Sequence, residues 1–336
     1  MAFLIQQTLL YAIPLMIVAL AGIFAERSGI INLALEGIMI FGAFIGALTV
    51  NLLQQTGLFT SENGQIVMLI AFIVSAIMGG LFSLLLSFSA INLKADQTIG
   101  GTALNMLAPA IVLFMTNIIS HQNVLQMYKG DSAGWFMIFK TDFGFEKTQD
   151  IGLLGEILLN KAYLTTYICL ILYIVLSIVL YKTRFGLRLR ACGENPQAAN
   201  SLGINVAKMR YIGTTISGAL AGIGGFVYAL TTANCAATGA VAGFGFLALA
   251  IMIFGNWKPL NTALAAFLFG LFQCIAAAYS AIDINGDGRF LLAEIGISSY
   301  VYRLFPYLIT LVVLAFTSKN SHAPKAEGIP FDKGRR

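Results

Sequence analysis

The sequence predicts an all-α polytopic membrane protein of about nine transmembrane helices, some of them broken or re-entrant. Three observations predict it. Hydrophobic residues make up 58% of the chain and charged residues 10%, with a mean hydropathy of +0.83. A soluble domain of 336 residues needs far more charge to cover its surface. Apolar stretches of about 20 residues, the length that crosses a bilayer, recur from one end to the other. The Lys and Arg also gather in alternate loops, as they do on the cytoplasmic side of membrane proteins.

Taken in order, the spans are 8–25, 30–50, 66–90, 99–119, 163–181, 211–231, 239–255, 260–281 and 298–317. The leading MAFLIQQTLLYAIPLMIVAL lacks a basic n-region and an evident cleavage site, so it reads as a retained first span. The 30–50 and 239–255 stretches are rich in Gly. They are the candidates for broken or re-entrant helices, which membranes tolerate where the backbone lines a cavity.

With 182–210 placed inside, the loops 26–29, 91–98 and 256–259 and the tail 318–336 fall on the same side. Those segments carry Arg27, Lys94, Lys182, Arg184, Arg188, Arg190, Lys208, Arg210 and Lys258 besides the basic residues of the tail. The N-terminus and the loops 120–162 and 282–297 are then extracytoplasmic, and 1–317 is the transmembrane domain. The tail is polar with two prolines and is expected to be a poorly ordered extension. In 120–162, Tyr128, Trp135 and Phe136 are expected at the membrane interface. A loop of this length is either a partly ordered surface segment or a contact for an external partner.

Inside the membrane, Glu36 is the acid that demands an explanation. It follows Asn32 by four residues, so both lie on one helix face. An intramembrane carboxylate is costly and is a translocation-path or coupling candidate by default. The alternative is a structural carboxylate bonded to backbone or to Asn32. Asn105 is a weaker case of the same kind, with an interhelical bond as its plainer role. Gly42 and Gly46, and Gly218 and Gly222 extended by Gly224 and Gly225, have small-residue spacing that lets helices approach closely. Phe41, Phe44, Phe244 and Phe246 are either packing residues or base-stacking candidates. The four cysteines, Cys169, Cys192, Cys235 and Cys274, show no metal spacing and read as packing residues. His121 and His322 are too isolated to suggest a metal or proton relay.

The longest basic and polar passage is Lys182 to Arg210, with GENPQAANSLGIN at its centre. Asn195 suits a helix N-cap and Pro196 the first helical position. Gly203 suits the left-handed residue that ends a helix. A helix of under two turns is marginal alone, so the 196–202 segment must dock against something.

A second motif lies near the C-terminus. Residues 283–294 match the calcium-loop pattern D-x-[DN]-x-[DN]-G-x5-E. Asp283, Asn285 and Asp287, the Arg289 carbonyl and Glu294 would be the ligands, with Gly288 at the turn. Leu291 stands where the ninth-position ligand belongs, which weakens the site. A structural Ca2+ on the outer face is one reading. A polar turn between two spans is the other.

AERSGIINLALEGIMIFGAF and GENPQAANSLGINVAKMRYIGTTISGALAGIGG together resemble permease subunits of bacterial ABC importers of the branched-chain amino acid and ribose type. TIGGTALNMLA and SKNSHAPKAEGIPFDKG resemble its simple-sugar and nucleoside branch, which works with basic-membrane-protein lipoproteins. The calcium-like loop departs from that pattern. The resemblance implies a multi-pass protein of the bacterial plasma membrane with several partners. These are an ATPase subunit, a second homologous permease, an extracytoplasmic substrate-binding lipoprotein and membrane lipid. It makes 196–202 the coupling helix, with Gly193, Glu194, Asn195, Pro196, Gln197, Ala198, Ala199, Leu202 and Gly203 as the ATPase-contacting set. Arg184, Arg188 and Arg190 read as inside-retention charges and phospholipid contacts rather than ATP ligands. No GxxxxGK[ST] occurs, so the chain does not bind ATP by that route, needs no cofactor of its own and is not an enzyme. Nothing points to nucleic acid. Nucleosides are the expected substrate, with ribose-like sugars or branched-chain amino acids as alternatives. Rivals of other classes are an ion-coupled secondary transporter using Glu36, and a non-transporting membrane scaffold.

Overall fold

A computed structural model describes residues 2–57, 59, 63–127, 135–146, 152–278, 301–302, 304–306, 308–309, 311–312 and 322–332. The calcium-like loop at 283–294 and Tyr128 lie outside the described residues, and the 298–317 span is described only in part.

The helices are α1 (Ala2–Arg27), α2 (Leu35–Gln55), α3 (Gly64–Ile91), α4 (Gln97–Ser120), α5 (Gly152–Leu159), α6 (Leu164–Lys182), α7 (Arg184–Glu194), α8 (Pro196–Ser201), α9 (Val206–Thr231), α10 (Phe244–Phe254) and α11 (Pro259–Ala278). Seven of them, α1, α2, α3, α4, α6, α9 and α11, are long and apolar enough to cross a membrane. The expected count of nine is therefore not reproduced among the described residues. The 239–255 stretch forms only the 11-residue α10. At 1.5 Å per residue it is about 16 Å long, about half the hydrocarbon thickness.

The long helix α9 is the hub, buried almost continuously from Gly213 to Thr231 and packed by α1, α2 and α3. Glycine makes this approach possible. A Cβ on Gly42 would lie 2.4 Å from the Gly222 carbonyl oxygen, and one on Gly225 would lie 1.9 Å from the Met39 carbonyl oxygen. The small-residue spacings thus serve close backbone packing of α2 and α3 on α9. Three of the four phenylalanines are packing residues. Phe41 stacks on Phe82, Phe44 is buried, and Phe244 sits edge-on to Tyr228; Phe246 is exposed. All four cysteines are free and buried.

The two faces sort as the charge pattern requires. On one, Arg27 pairs with Glu194, Lys94 with Asp332, and the His322 amide donates to Asn256 Oδ1. This is the basic face, the one expected on the cytoplasmic side. On the other, β1 (Leu125–Gln126) pairs antiparallel with β4 (Ala236–Ala237), and β2 (Met137–Ile138) with β3 (Ala162–Tyr163). The described residues of the 120–162 loop are paired and packed. Phe136 is fully buried rather than interfacial, and Lys140 bonds Glu156 at 2.7 Å. That bond, with one from Asn160, holds the Glu156 carboxyl below its usual range.

Two expectations about the basic face need correction. The passage 182–210 is mostly helical: α7 occupies Arg184–Glu194 and α9 starts at Val206. Residues 322–332 of the tail are not a loose extension, because they are bonded across the helix ends of this face. Its polarity hid this, since its anchors are backbone groups that composition does not reveal.

Candidate functional site

Two regions gather the polar residues singled out in the sequence. The first is where α2 and α10 begin. Between α1 and α2 the chain is not helical from Ser28 to Ala34. Asn32 Nδ2 donates 2.9 Å to Ser217 Oγ, eleven residues into α9, so it lies about 16 Å up from the start of that helix. The break is therefore inside the membrane, where its backbone groups need internal partners. Asn32 Oδ1 accepts from the Ala34 amide (3.1 Å). Asn105, from α4, accepts from the Gly37 amide through Oδ1 and donates to the Leu33 carbonyl through Nδ2, both at 2.7 Å. One asparagine thus satisfies both sides of the break. A Cβ on Gly37 would lie 2.7 Å from the Leu104 carbonyl oxygen, so only glycine lets α4 come this close.

Glu36 completes the arrangement from the other side. Its Oε1 accepts from the Gly243 amide at 2.9 Å and its Oε2 from the Gly245 amide at 2.6 Å. Gly243 has φ +77° and offers no capping side chain of its own. The carboxylate of α2 therefore caps α10, placing negative charge at the positive end of the helix dipole. Asn32, Glu36 and Asn105 are brought to one site, and each is engaged with backbone there. Asn32 and Glu36 do not bond each other; their partners lie on α9 and α10.

The second region is the basic face. Asn195 caps α8, its Oδ1 accepting from the Ala198 amide at 3.0 Å. The helix ends at Ser201, with Leu202 as its cap and Gly203 at φ +80°. Gly193 is buried, and a Cβ there would lie 2.4 Å from the Arg27 carbonyl oxygen. This seats the end of α7 on the end of α1. Ala199 also faces inward, 2% exposed. The outward face of this turn is Glu194, Asn195, Gln197, Ala198 and Leu202, and Leu202 is 82% exposed. An apolar side chain held that far out on a capped, rigid turn is a ready contact for another protein.

Around this turn sit residues to which sequence reasoning gave no bonding role. Glu26, 4% exposed, accepts from Trp257 Nε1 at 2.5 Å. Arg210, 1% exposed, donates from Nη1 to the Ile329 carbonyl of the tail at 2.9 Å. A glutamate at the end of the first span and the EGIP turn of the tail were the available signals.

A multi-pass membrane protein with a short half-helix capped from a neighbouring span in its core, and a capped turn presented on its basic face, has the form of a transport permease. Residues 4–314 match the model of the branched-chain amino acid transport system permease component family, and the chain belongs to that family. It is 37% identical over 341 residues to the guanosine ABC transporter permease protein NupQ of Bacillus subtilis, covering 100% of this chain and 98% of that one. It is 35% identical over 332 residues to the nucleoside ABC transporter permease protein NupC of Lactococcus lactis, covering 99% and 97%. A probable branched-chain amino acid transport permease, LivH of Methanocaldococcus jannaschii, is 28% identical over 63% of this chain and 62% of that one. No solved structure matches. The chain is thus an ABC importer permease subunit, a multi-pass plasma-membrane protein and a transport component; ATP hydrolysis belongs to a separate ATPase.

Proposed function

We propose that this permease imports nucleosides. The observation that carries the reading is full-length similarity to two permeases named for guanosine and for nucleosides. A second permease is part of the proposal. The chain is also similar, at 25% and 28% identity over 80% of its length, to NupB and NupP, permeases named from the same two organisms as NupC and NupQ. The remaining partners are a cytoplasmic ATPase and an extracytoplasmic binding lipoprotein that delivers substrate.

The mechanism follows from the packing. The ATPase grips α8 at Gln197, Ala198 and Leu202. Because Gly193 rests on the end of α1 and α8 leads into α9, movement of this turn is passed to the two most buried spans. These rock together with α2 and α3 through the glycine contacts, exposing the path to alternate sides. Glu36 holds α10 as a rigid half-helix during that motion rather than carrying a coupling ion, since both of its oxygens are engaged by amides.

The test is uptake of a radiolabelled purine nucleoside in cells lacking only this permease, with and without the wild-type gene. Uptake should fall on deletion and return on complementation. Unchanged uptake in a strain with no second route overturns the substrate assignment and turns attention to ribose-like sugars.

A further inference from the structure

The tail walls off a basic cleft beside the coupling turn. The Ala326 amide donates to the Gly193 carbonyl at the end of α7 (2.8 Å), and the His322 amide to Asn256 Oδ1 in the turn between α10 and α11 (2.9 Å). Pro324 and Ala326 are buried between these anchors. Residues 322–326 thus run from one helix end to the other and form one side of a cleft of about 310 Å³. Its charged lining is Arg27, Glu194, Lys258, His322 and Lys325. Arg27 and Glu194 pair at 3.3 Å, so the one carboxylate of this lining is already matched. Lys258 and Lys325 are exposed, and among the described residues neither is in an ion pair.

The cleft is continuous with α8, because Glu194 immediately precedes the Asn195 cap of that helix. Further along, the tail is fixed to the turn itself, with Gln197 Nε2 donating to the Asp332 carbonyl (3.0 Å). The helix α8 is six residues long. A stable contact between proteins covers about 800 Å² on each partner, from about 20 to 30 residues. A subunit that grips α8 must therefore rest on what flanks it, and this cleft is the flank next to its cap. Interfaces set apolar anchors at the centre and polar groups at the rim. Leu202 supplies the anchor, and the cleft supplies a rim with two unmatched positive charges. Such a rim is complementary to acidic side chains.

We propose that the cleft between the tail, the ends of α1 and α7 and the α10–α11 turn is a second seat for the ATPase, receiving acidic side chains of that subunit through Lys258 and Lys325. This rests on the reading of α8 as the ATPase contact and does not depend on what is transported. The competing occupant is an anionic phospholipid headgroup. Continuity with α8, and the presence of Glu194 in the lining, favour the protein.

The experiment captures the tagged full-length permease from membranes of cells that co-express its partner subunits, and measures the ATPase retained per permease. In wild type, retention should fall as salt rises from about 0.05 M to about 0.5 M, because a charged rim is screened. Lys258→Glu with Lys325→Glu should retain about tenfold less ATPase at low salt. Permease abundance should be unchanged, since both side chains are exposed. Should that pair fail to accumulate, Lys258→Gln with Lys325→Gln should retain about threefold less and lose most of the salt dependence. Lys258→Arg with Lys325→Arg should behave as wild type. Unchanged retention in the glutamate or glutamine pair overturns the seat. So does loss of co-purifying anionic phospholipid with the ATPase still bound. Leu202→Glu separates the two claims. If it releases the ATPase and the lysine variants do not, this inference fails and the α8 reading stands. Release by the lysine variants with retention by Leu202→Glu supports the seat and overturns the α8 reading.

Discussion

Glu36 Oε2 accepts a 2.6 Å hydrogen bond from the amide of Gly245, a residue 209 positions away. One helix of this permease is thus capped by the side chain of another. The contact is tight: a Cβ on Gly245 would lie 2.4 Å from the Glu36 backbone nitrogen. The most conspicuous intramembrane acid is spent on holding a half-helix in place. The physical need is plain, because an uncapped helix start in the membrane leaves amides with no water to satisfy them.

Removing that cap should cost stability before it affects chemistry. Glu36→Ala strands the Gly243 and Gly245 amides, and the loss should be about 3 kcal/mol, read as a fall in thermal unfolding temperature of the purified protein. Glu36→Gln keeps one acceptor oxygen and should lose less. Uptake by Glu36→Gln, at matched membrane levels, should not depend on a proton or sodium gradient. Gradient-dependent uptake in wild type that vanishes in this variant would restore the ion-coupled alternative.

The asparagines at the α1–α2 break should act as a unit. Asn32→Ala and Asn105→Ala each remove bonds to the same short stretch of backbone, at Ala34 and at Leu33 and Gly37. Each should destabilise by about 2 kcal/mol, and the double variant should cost less than the sum by at least about 0.5 kcal/mol. Strict additivity in a thermal double-mutant cycle would show that the two pin separate structures.

The glycine core makes a prediction with its own control. Gly225→Ala places a Cβ 1.9 Å from the Met39 carbonyl oxygen, whereas Gly80→Ala meets nothing closer than 3.4 Å. The first should destabilise by about 3 kcal/mol or fail to accumulate in membranes. The second should be nearly neutral. Membrane abundance and thermal stability read both.

On the coupling turn, the outward and inward residues should separate. Ala198→Arg and Leu202→Glu alter the exposed face and should abolish uptake while the permease accumulates normally. Ala199→Arg forces a charge into a buried position and should destabilise by more than about 3 kcal/mol. Normal uptake by both outward variants would remove α8 from the coupling role.

The amino-acid sequence by itself determined the all-α, multi-pass character of the chain and the small capped helix at Pro196. These are local matters: membrane-spanning character follows from hydropathy, and the helix from Asn195, Pro196 and Gly203 within one short stretch. Of the two Gly-rich runs the sequence marked as candidates for interruption, 239–255 makes only the short α10, whereas 30–50 feeds the continuous α2 from Leu35. Only the tertiary structure decided what Asn32, Glu36 and Asn105 bond, that Ala199 faces inward, and that the tail is docked. Those outcomes rest on pairings across long separations, such as Glu36 with Gly243 and Arg210 with Ile329, most of them with backbone groups that every residue carries alike. A sequence shows which side chains need partners, but a backbone amide becomes a particular partner only when the packed chain has put it within reach.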